Sequence, residues 1–227
     1  MVDITDQQQR EHNVRLYDLG NTLIRMDHTS YVFGRDPSLR THYESGYHQA
    51  NIVYEQILEE GLRQGEVQVS VLPRVAEHLA ADLERGLRNA VFSTCTAGAI
   101  EAVLQHLELS PYVGQTFSTF DVNDDSVLLA QRSAATKTAR GFQRVNAALG
   151  GAVISYADDK LEELARARQG LGDEVALYWI KKRDEAGYSP VQGHQITGVI
   201  GSIADICQGA GLRIVQELRP KRIRQGV

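Results

Sequence analysis

Three short apolar runs, each closed by polar side chains, constrain this chain more than its size or composition does. Val14 to Tyr17 runs into Asp18, Asn89 to Phe92 into Ser93 and Thr94, and Ala152 to Ala157 into Asp158 and Asp159. Runs this short read as buried strands rather than helices. Between them, apolar residues recur every three or four positions, as on one helix face. Leu72, Val75, Leu79 and Leu83 form one such set, and Ile100, Val103, Leu104 and Leu107 the next. Phe142, Val145 and Leu149 form a third, and Leu161, Leu164 and Ala165 a fourth. Val175 to Ile180 reads as a fourth buried strand, Thr197 to Ile200 as a fifth, and Thr116 to Val122 as a short edge strand. Strands alternating with helices predict an α/β fold built on a doubly wound parallel sheet.

The stretches around these elements are less regular. Arg25 to Pro37 carries Gly34 and an Asp-Pro pair as punctuation and reads as irregular. Ser38 to Gly65 reads as one long helix, with Tyr43, Tyr47, Ala50, Tyr54, Leu58 and Leu62 at helical steps. Tyrosines so spaced either belong to the core or line a pocket. Asp124-Asp125 sits in a polar loop, where it can cap a helix, face solvent or hold a cation. Ser202 and Asp205 have capping-box-like spacing ahead of a terminal helix. The basic stretch from Arg213 to Arg224 is either a solvated terminus or a surface for RNA, a membrane or an acidic partner.

Composition narrows the partners. At 227 residues the chain suits one large domain, or one domain with a small insertion. A net charge of −5 argues against nucleic acid as the main partner. No stretch reaches the roughly 18 apolar residues that a membrane helix requires, and the polar start from Met1 to Asn13 lacks a signal-peptide core. Two cysteines, Cys95 and Cys207, supply neither a disulfide framework nor metal-binding spacing. A reducing cytoplasm is the expected location.

Jointly, the strand ends carry a chemistry. Taken alone, Asp18-Leu-Gly-Asn is an ordinary turn sequence as readily as an active-site loop, and Lys137 ahead of a helix is an ordinary solvated lysine. In a parallel sheet, however, the carboxyl ends of the strands face one crevice. A first carboxylate there can attack phosphorus. A hydroxyl and an ammonium can hold phosphoryl oxygens, and the ammonium keeps the nucleophile ionised. An acidic pair completes a Mg²⁺ site, because that ion takes one or two carboxylates together with phosphate and water.

These residues resemble the motifs of the haloacid-dehalogenase-like hydrolases. Tyr17-Asp18-Leu19-Gly20-Asn21-Thr22-Leu23 looks like the Asp-Leu-Gly-Asn variant of the first motif, and Val91-Phe92-Ser93-Thr94 like the second. Lys137 matches the third motif and Ala157-Asp158-Asp159 the fourth. The resemblance implies a Rossmann-like core over 14–24 and 71–210, a small helical cap insertion over 25–70, and a basic tail over 211–227. It implies Asp18 as nucleophile and Mg²⁺ ligand, with the Gly20 carbonyl, Asp158 and Asp159 completing the metal site. Ser93 and Lys137 would hold the phosphoryl group, with Thr94 and Asn21 beside them. The implied activity is a Mg²⁺-dependent phosphatase acting on a phosphorylated small molecule, with the cap as a possible homo-oligomer contact. Gly20 departs from the pattern, since most phosphatases of the family keep an aspartate there as general acid and base. That departure leaves a weak or inactive phospho-ligand binder as the alternative, and a dehalogenase as a further one disfavoured by the retained acidic pair.

Overall fold

Hydrophobic alternation along β1 (Val14–Tyr17) puts Val14 and Leu16 on one side of a sheet and Tyr17 on the other, all of them buried. The computed structural model describes residues 13–44, 48–123, 136–180, 198–200 and 202–208. The Asp124-Asp125 pair, the basic tail and the side chains of Tyr43, Tyr47 and Ala50 lie outside what it describes.

After β1 come β2 (Ile24–Met26), α1 (His28–Arg35), α2 (Leu39–Glu44), α3 (His48–Arg63) and β3 (Val69–Val71). The chain continues through α4 (Val75–Glu84), β4 (Arg88–Ser93), α5 (Ala97–His106), a 3-10 turn (Ser110–Tyr112), β5 (Gln115–Ser118) and the single turn α6 (Thr119–Val122). It closes with α7 (Ala139–Ala148), β6 (Val153–Asp158), α8 (Leu161–Leu171), β7 (Ala176–Ile180), β8 (Gly198–Ile200) and a 3-10 helix (Ile203–Gln208). Six strands form one sheet in the order β5-β4-β1-β6-β7-β8, and every neighbouring pair is parallel.

Two cores sandwich this sheet. Tyr17, Val91 and Ala157 face α4 and α5, with Val75, Leu79, Ile100 and Val103 among their neighbours. Leu16, Phe92 and Tyr156 face α7 and α8, against Phe142, Val145, Leu164 and Ala167. Covering both faces is the doubly wound arrangement, and it explains why the strands read as short apolar runs. Truncating a fully buried residue such as Leu16 to alanine would cost on the order of 2–5 kcal/mol. Tyr17 lies opposite Val91 on one neighbour and Ala157 on the other, so the chain leaves β1 at the level where β4 and β6 also end.

Three expectations are corrected. Arg25 to Pro37 is not irregular. Ile24–Met26 pairs antiparallel with Val69–Val71, and α1 follows at once, its first turn capped by the Asp27 carboxylate accepting from the Ser30 amide. Gly34 and the Asp-Pro pair obscured a helix whose apolar face is only Val32 and Phe33, both buried. Thr116 to Val122 is strand only as far as Ser118. The Ser118 hydroxyl then caps α6 by accepting from the Phe120 amide, a local bond that competes with continuing the ladder. Of the expected terminal helix, the described part, Ile203–Gln208, is a 3-10 helix carrying half of a capping box: the Asp205 carboxylate accepts from the Ser202 amide, while the Ser202 hydroxyl accepts from the Ala204 amide.

The helical region from Leu39 to Arg63 buries Tyr54, Leu58 and Leu62 at four-residue steps, which puts Tyr54 in the core. Gly61 lies within α3, and the Tyr31 ring packs where a Cβ at that position would lie. The buried residues of α1–α3 share one cluster with Leu19, Leu23 and Ile24, so the insertion sits over the edge of the sheet where Asp18 emerges. Among the described residues, no helix is long and apolar enough to cross a membrane.

Candidate active site

Asp18 is placed by backbone bonds before its side chain does anything. Its amide donates to the Ala157 carbonyl at 2.9 Å, extending the ladder by one residue. The chain then turns tightly: the amides of Leu23 and Ile24 both donate to the Leu19 carbonyl, and the Asn21 amide donates to that of Ile24. Asn21 takes the left-handed conformation, φ +58°, which asparagine tolerates better than most side chains. Its own side chain is exposed.

Lys137 is the hub of the side-chain network. Its fully buried ammonium donates to Asp18 Oδ1, to Asp158 Oδ2 at 2.8 Å and to the Tyr156 hydroxyl at 2.8 Å. It also lies over the rings of Phe92 and Tyr156, 5.8 and 5.5 Å from their centres. Its backbone is clamped on both sides. The Asn123 side-chain Nδ2 donates to the Thr136 carbonyl, and the Thr138 hydroxyl donates to Asn123 Oδ1 while capping α7 through the Gly141 amide. A long flexible side chain is thus held to one pose. Tyr156 donates to Asp158 Oδ2, whose second oxygen accepts from the Lys160 amide at 2.8 Å.

Electrostatics follow from this burial. Burial pushes the Asp18 carboxyl up to about 7, with Lys137 opposing the rise and Asp158 adding to it. Burial alone would lower Lys137, yet Asp158 and Asp18 together raise it above the ordinary lysine value. Burial, with the charge of Asp158, also holds the Tyr156 hydroxyl protonated. Oxygens of Asp18, Asp158 and Asp159 lie within 4.8 Å of one another. Hard carboxylate oxygens in surplus over one ammonium suit Mg²⁺, which prefers oxygen donors.

Of the residues picked from sequence, Asp18, Lys137, Asp158 and Asp159 converge. Ser93 is buried at the end of β4, the strand beside β1, and its hydroxyl accepts from the Cys95 amide at 3.2 Å. Thr94 is half-buried in the turn that follows. Gly20 has no atom within 4 Å of where its Cβ would be. Sequence reasoning missed Tyr156 and Asn123. Tyr156 was within reach, since residues two apart on a strand share a face and Asp158 was already chosen. Asn123 carried no such signal, being 14 residues from the lysine it clamps and in no motif.

No protein-family model matches the chain, and no curated protein matches it in sequence. Solved structures do match in shape. CbbY from Rhodobacter sphaeroides in complex with phosphate is 13% identical with a TM-score of 0.61, over 86% of this chain and 96% of that one. The HAD-hydrolase YfnB from Bacillus subtilis bound to magnesium is 10% identical with a TM-score of 0.59, over 87% and 98%. L-2-haloacid dehalogenase from Xanthobacter autotrophicus, with chloropropionic acid covalently bound, is 12% identical with a TM-score of 0.56, over 91% and 99%. The fold is that of the haloacid-dehalogenase-like hydrolases. The chain spans nearly the whole length of each of these three structures.

Proposed function

We propose that this chain is a Mg²⁺-dependent phosphatase that works through an aspartyl-phosphate on Asp18, with a phosphorylated small molecule as substrate. The observation that carries the reading is the joining of Asp18 and Asp158 through one buried ammonium, with Asp159 close enough to share a cation. Asp18 is the nucleophile. One of its oxygens is held by Lys137, and the other has, among the described residues, only a long contact, 3.5 Å, from the Thr22 hydroxyl. Lys137 and the Ser93 hydroxyl bind the phosphoryl oxygens, where positive charge and hydrogen-bond donors do most for this reaction. The two tasks of Lys137, binding phosphate and keeping Asp18 ionised, are both served by its raised pKa. Asp18, Asp158, Asp159 and the Gly20 carbonyl would hold Mg²⁺, which supplies charge neutralisation between nucleophile and phosphate. A dehalogenase would use Asp18 and Lys137 in the same way but has no use for three clustered carboxylates.

Gly20 favours a second reading, in which the chain binds a phosphorylated ligand with little turnover, because no side chain at that position can donate a proton to the leaving group.

The test is hydrolysis of an aryl phosphate. Turnover is expected with Mg²⁺, to stop on chelation and to return when the ion is restored. Asp18→Asn should lower it by at least about 10³-fold with the melting temperature preserved. Undiminished activity in that variant would end the proposal, and halide release from a 2-haloacid without metal would replace it.

A further inference from the structure

We infer that Glu55, on α3 of the insertion, is the proton-transfer group for the leaving oxygen, standing in for the aspartate that Gly20 displaces; this rests on the phosphatase reading above. Four observations converge. Glu55 is 5% exposed, and one of its carboxylate oxygens accepts from the Thr96 amide at 3.1 Å. Thr96 is the N-cap of α5, three residues after Ser93 on the same short loop, and the Ser93 hydroxyl is itself bonded to the Cys95 amide. The insertion therefore lowers a carboxyl onto the loop that carries the phosphoryl-binding hydroxyl. The Cys95 thiol, between the two, is pushed up by burial and then by the charge of Glu55, with Asp18 and Lys137 also felt, so all three charges lie within range of one side chain.

Among the described residues, the Thr96 amide is the only hydrogen-bond donor to Glu55, and no cation pairs with it. A buried carboxyl without a cation is costly unless it is used or protonated. Burial raises Glu55 to about 7; the Thr96 amide opposes this, and Glu59, one turn along α3, adds to it. Among the described residues, those groups and Cys95 are the polar or titratable ones with which Glu55 interacts. Near neutrality such a carboxyl both gives and takes a proton, as the two halves of the reaction require.

In the first half, Asp18 attacks phosphorus, the bond to the leaving oxygen breaks, and the Glu55 proton passes to that oxygen. In the second, the Glu55 carboxylate takes a proton from water as its oxygen attacks phosphorus. The acyl-phosphate bond then breaks, Asp18 is freed, and inorganic phosphate leaves.

Glu55→Gln is the decisive variant, because its amide oxygen can still accept from Thr96. With an alkyl phosphate, kcat should fall by about 10²–10³-fold with KM nearly unchanged. With 4-nitrophenyl phosphate, whose leaving group needs no proton, a burst of nitrophenol should precede slow turnover, with acid-stable phosphoenzyme accumulating. Glu55→Asp, which keeps the ionisable group, should retain more activity than the glutamine variant. Gly20→Asp, placed where there is open space, should restore at least about 10-fold in the Glu55→Gln background. Without metal or substrate, the carboxylic-acid infrared absorption near neutral pH should be weaker in Glu55→Gln than in the wild type by the contribution of one carboxyl, that of Asp18 remaining in both. Wild-type kinetics in the glutamine variant, equal losses in the Gln and Asp variants, no rescue by Gly20→Asp, or an unchanged infrared band would each overturn the inference while leaving the phosphatase reading intact. Absence of Mg²⁺-dependent turnover in the wild type would overturn both.

Discussion

Tyr17 and Asp18 are adjacent in the chain, and each anchors a buried polar cluster. The Tyr17 hydroxyl donates to Asp82 Oδ2 at 2.9 Å and lies 2.9 Å from His78 Nε2, and Arg15 pairs with Asp82 at 3.1 Å. Asp82 is a fully buried residue of α4, and the Tyr17 and His78 rings meet edge to face, 5.9 Å apart. Around Asp18, by contrast, Lys137 pairs with two carboxylates, Asp18 and Asp158, while Asp159 lies beside them, and Asp18 keeps some contact with solvent at the edge of the sheet. The residue types are similar; the balance of charge is not. One carboxylate met by a guanidinium and a hydroxyl is balanced in charge and closed to solvent, its hydrogen bonds among the described residues all falling on Oδ2 while Oδ1 keeps an ion-pair contact with Arg15. Three carboxylates around one ammonium leave acceptors over, and a strand end gives a ligand a way in. Burial of charge alone therefore does not mark a site; unbalanced charge at an open strand end does.

The largest expected difference between the clusters comes from Lys137→Met. It leaves Asp18 and Asp158 buried without their cation, which should lower stability by about 3–5 kcal/mol, as breaking a buried pair does. Denaturant melts would measure this, and millimolar Mg²⁺ should restore part of the loss, since an ion that binds the folded state stabilises it. No response to Mg²⁺ would count against the shared cation.

Asp82→Asn should show the opposite profile. Losing the ionised partner of Arg15 should cost about 2 kcal/mol, while kcat/KM per folded molecule stays within about 2-fold of wild type. A large kinetic loss with unchanged stability would mean that this cluster also serves the chemistry.

The smallest effect concerns pH. Burial, with the charges of Arg15, Arg85 and Arg74, pushes the His78 imidazole down to about 4 from its ordinary 6.5. The unfolded chain then binds the extra proton first, so His78 contributes stability that is present above about 6.5 and is lost as pH falls towards 4. Subtracting the melting profile of His78→Gln from that of the wild type should leave a slope confined to this window. A difference that is flat across it would remove His78 as the cause.

Much of this was legible in the chain. Buried parallel strands leave apolar runs that end abruptly, so Asp18, Ser93 and Asp158 could be picked as strand ends, and order in the sequence supplied Lys137. What was missed has common causes. Helix α1 buries only Val32 and Phe33 among its described side chains and has punctuation inside it, so its period was too faint to read. Glu55 sits in a helix with Glu59 and Glu60, where a further glutamate looks solvated. Its burial comes from α3 packing on the first turn of α5, to a partner 41 residues away.

By itself, then, the sequence determined the elements and the edge of the sheet at which the chemistry gathers, because hydrophobic period and strand length are local properties. Only the tertiary structure decided how charge is shared there: Lys137 reaches Asp18 across 119 positions of chain, and α3 brings Glu55 to the Thr96 amide. Burial and Coulomb energy depend on what surrounds a group in space, and no local pattern carries that information.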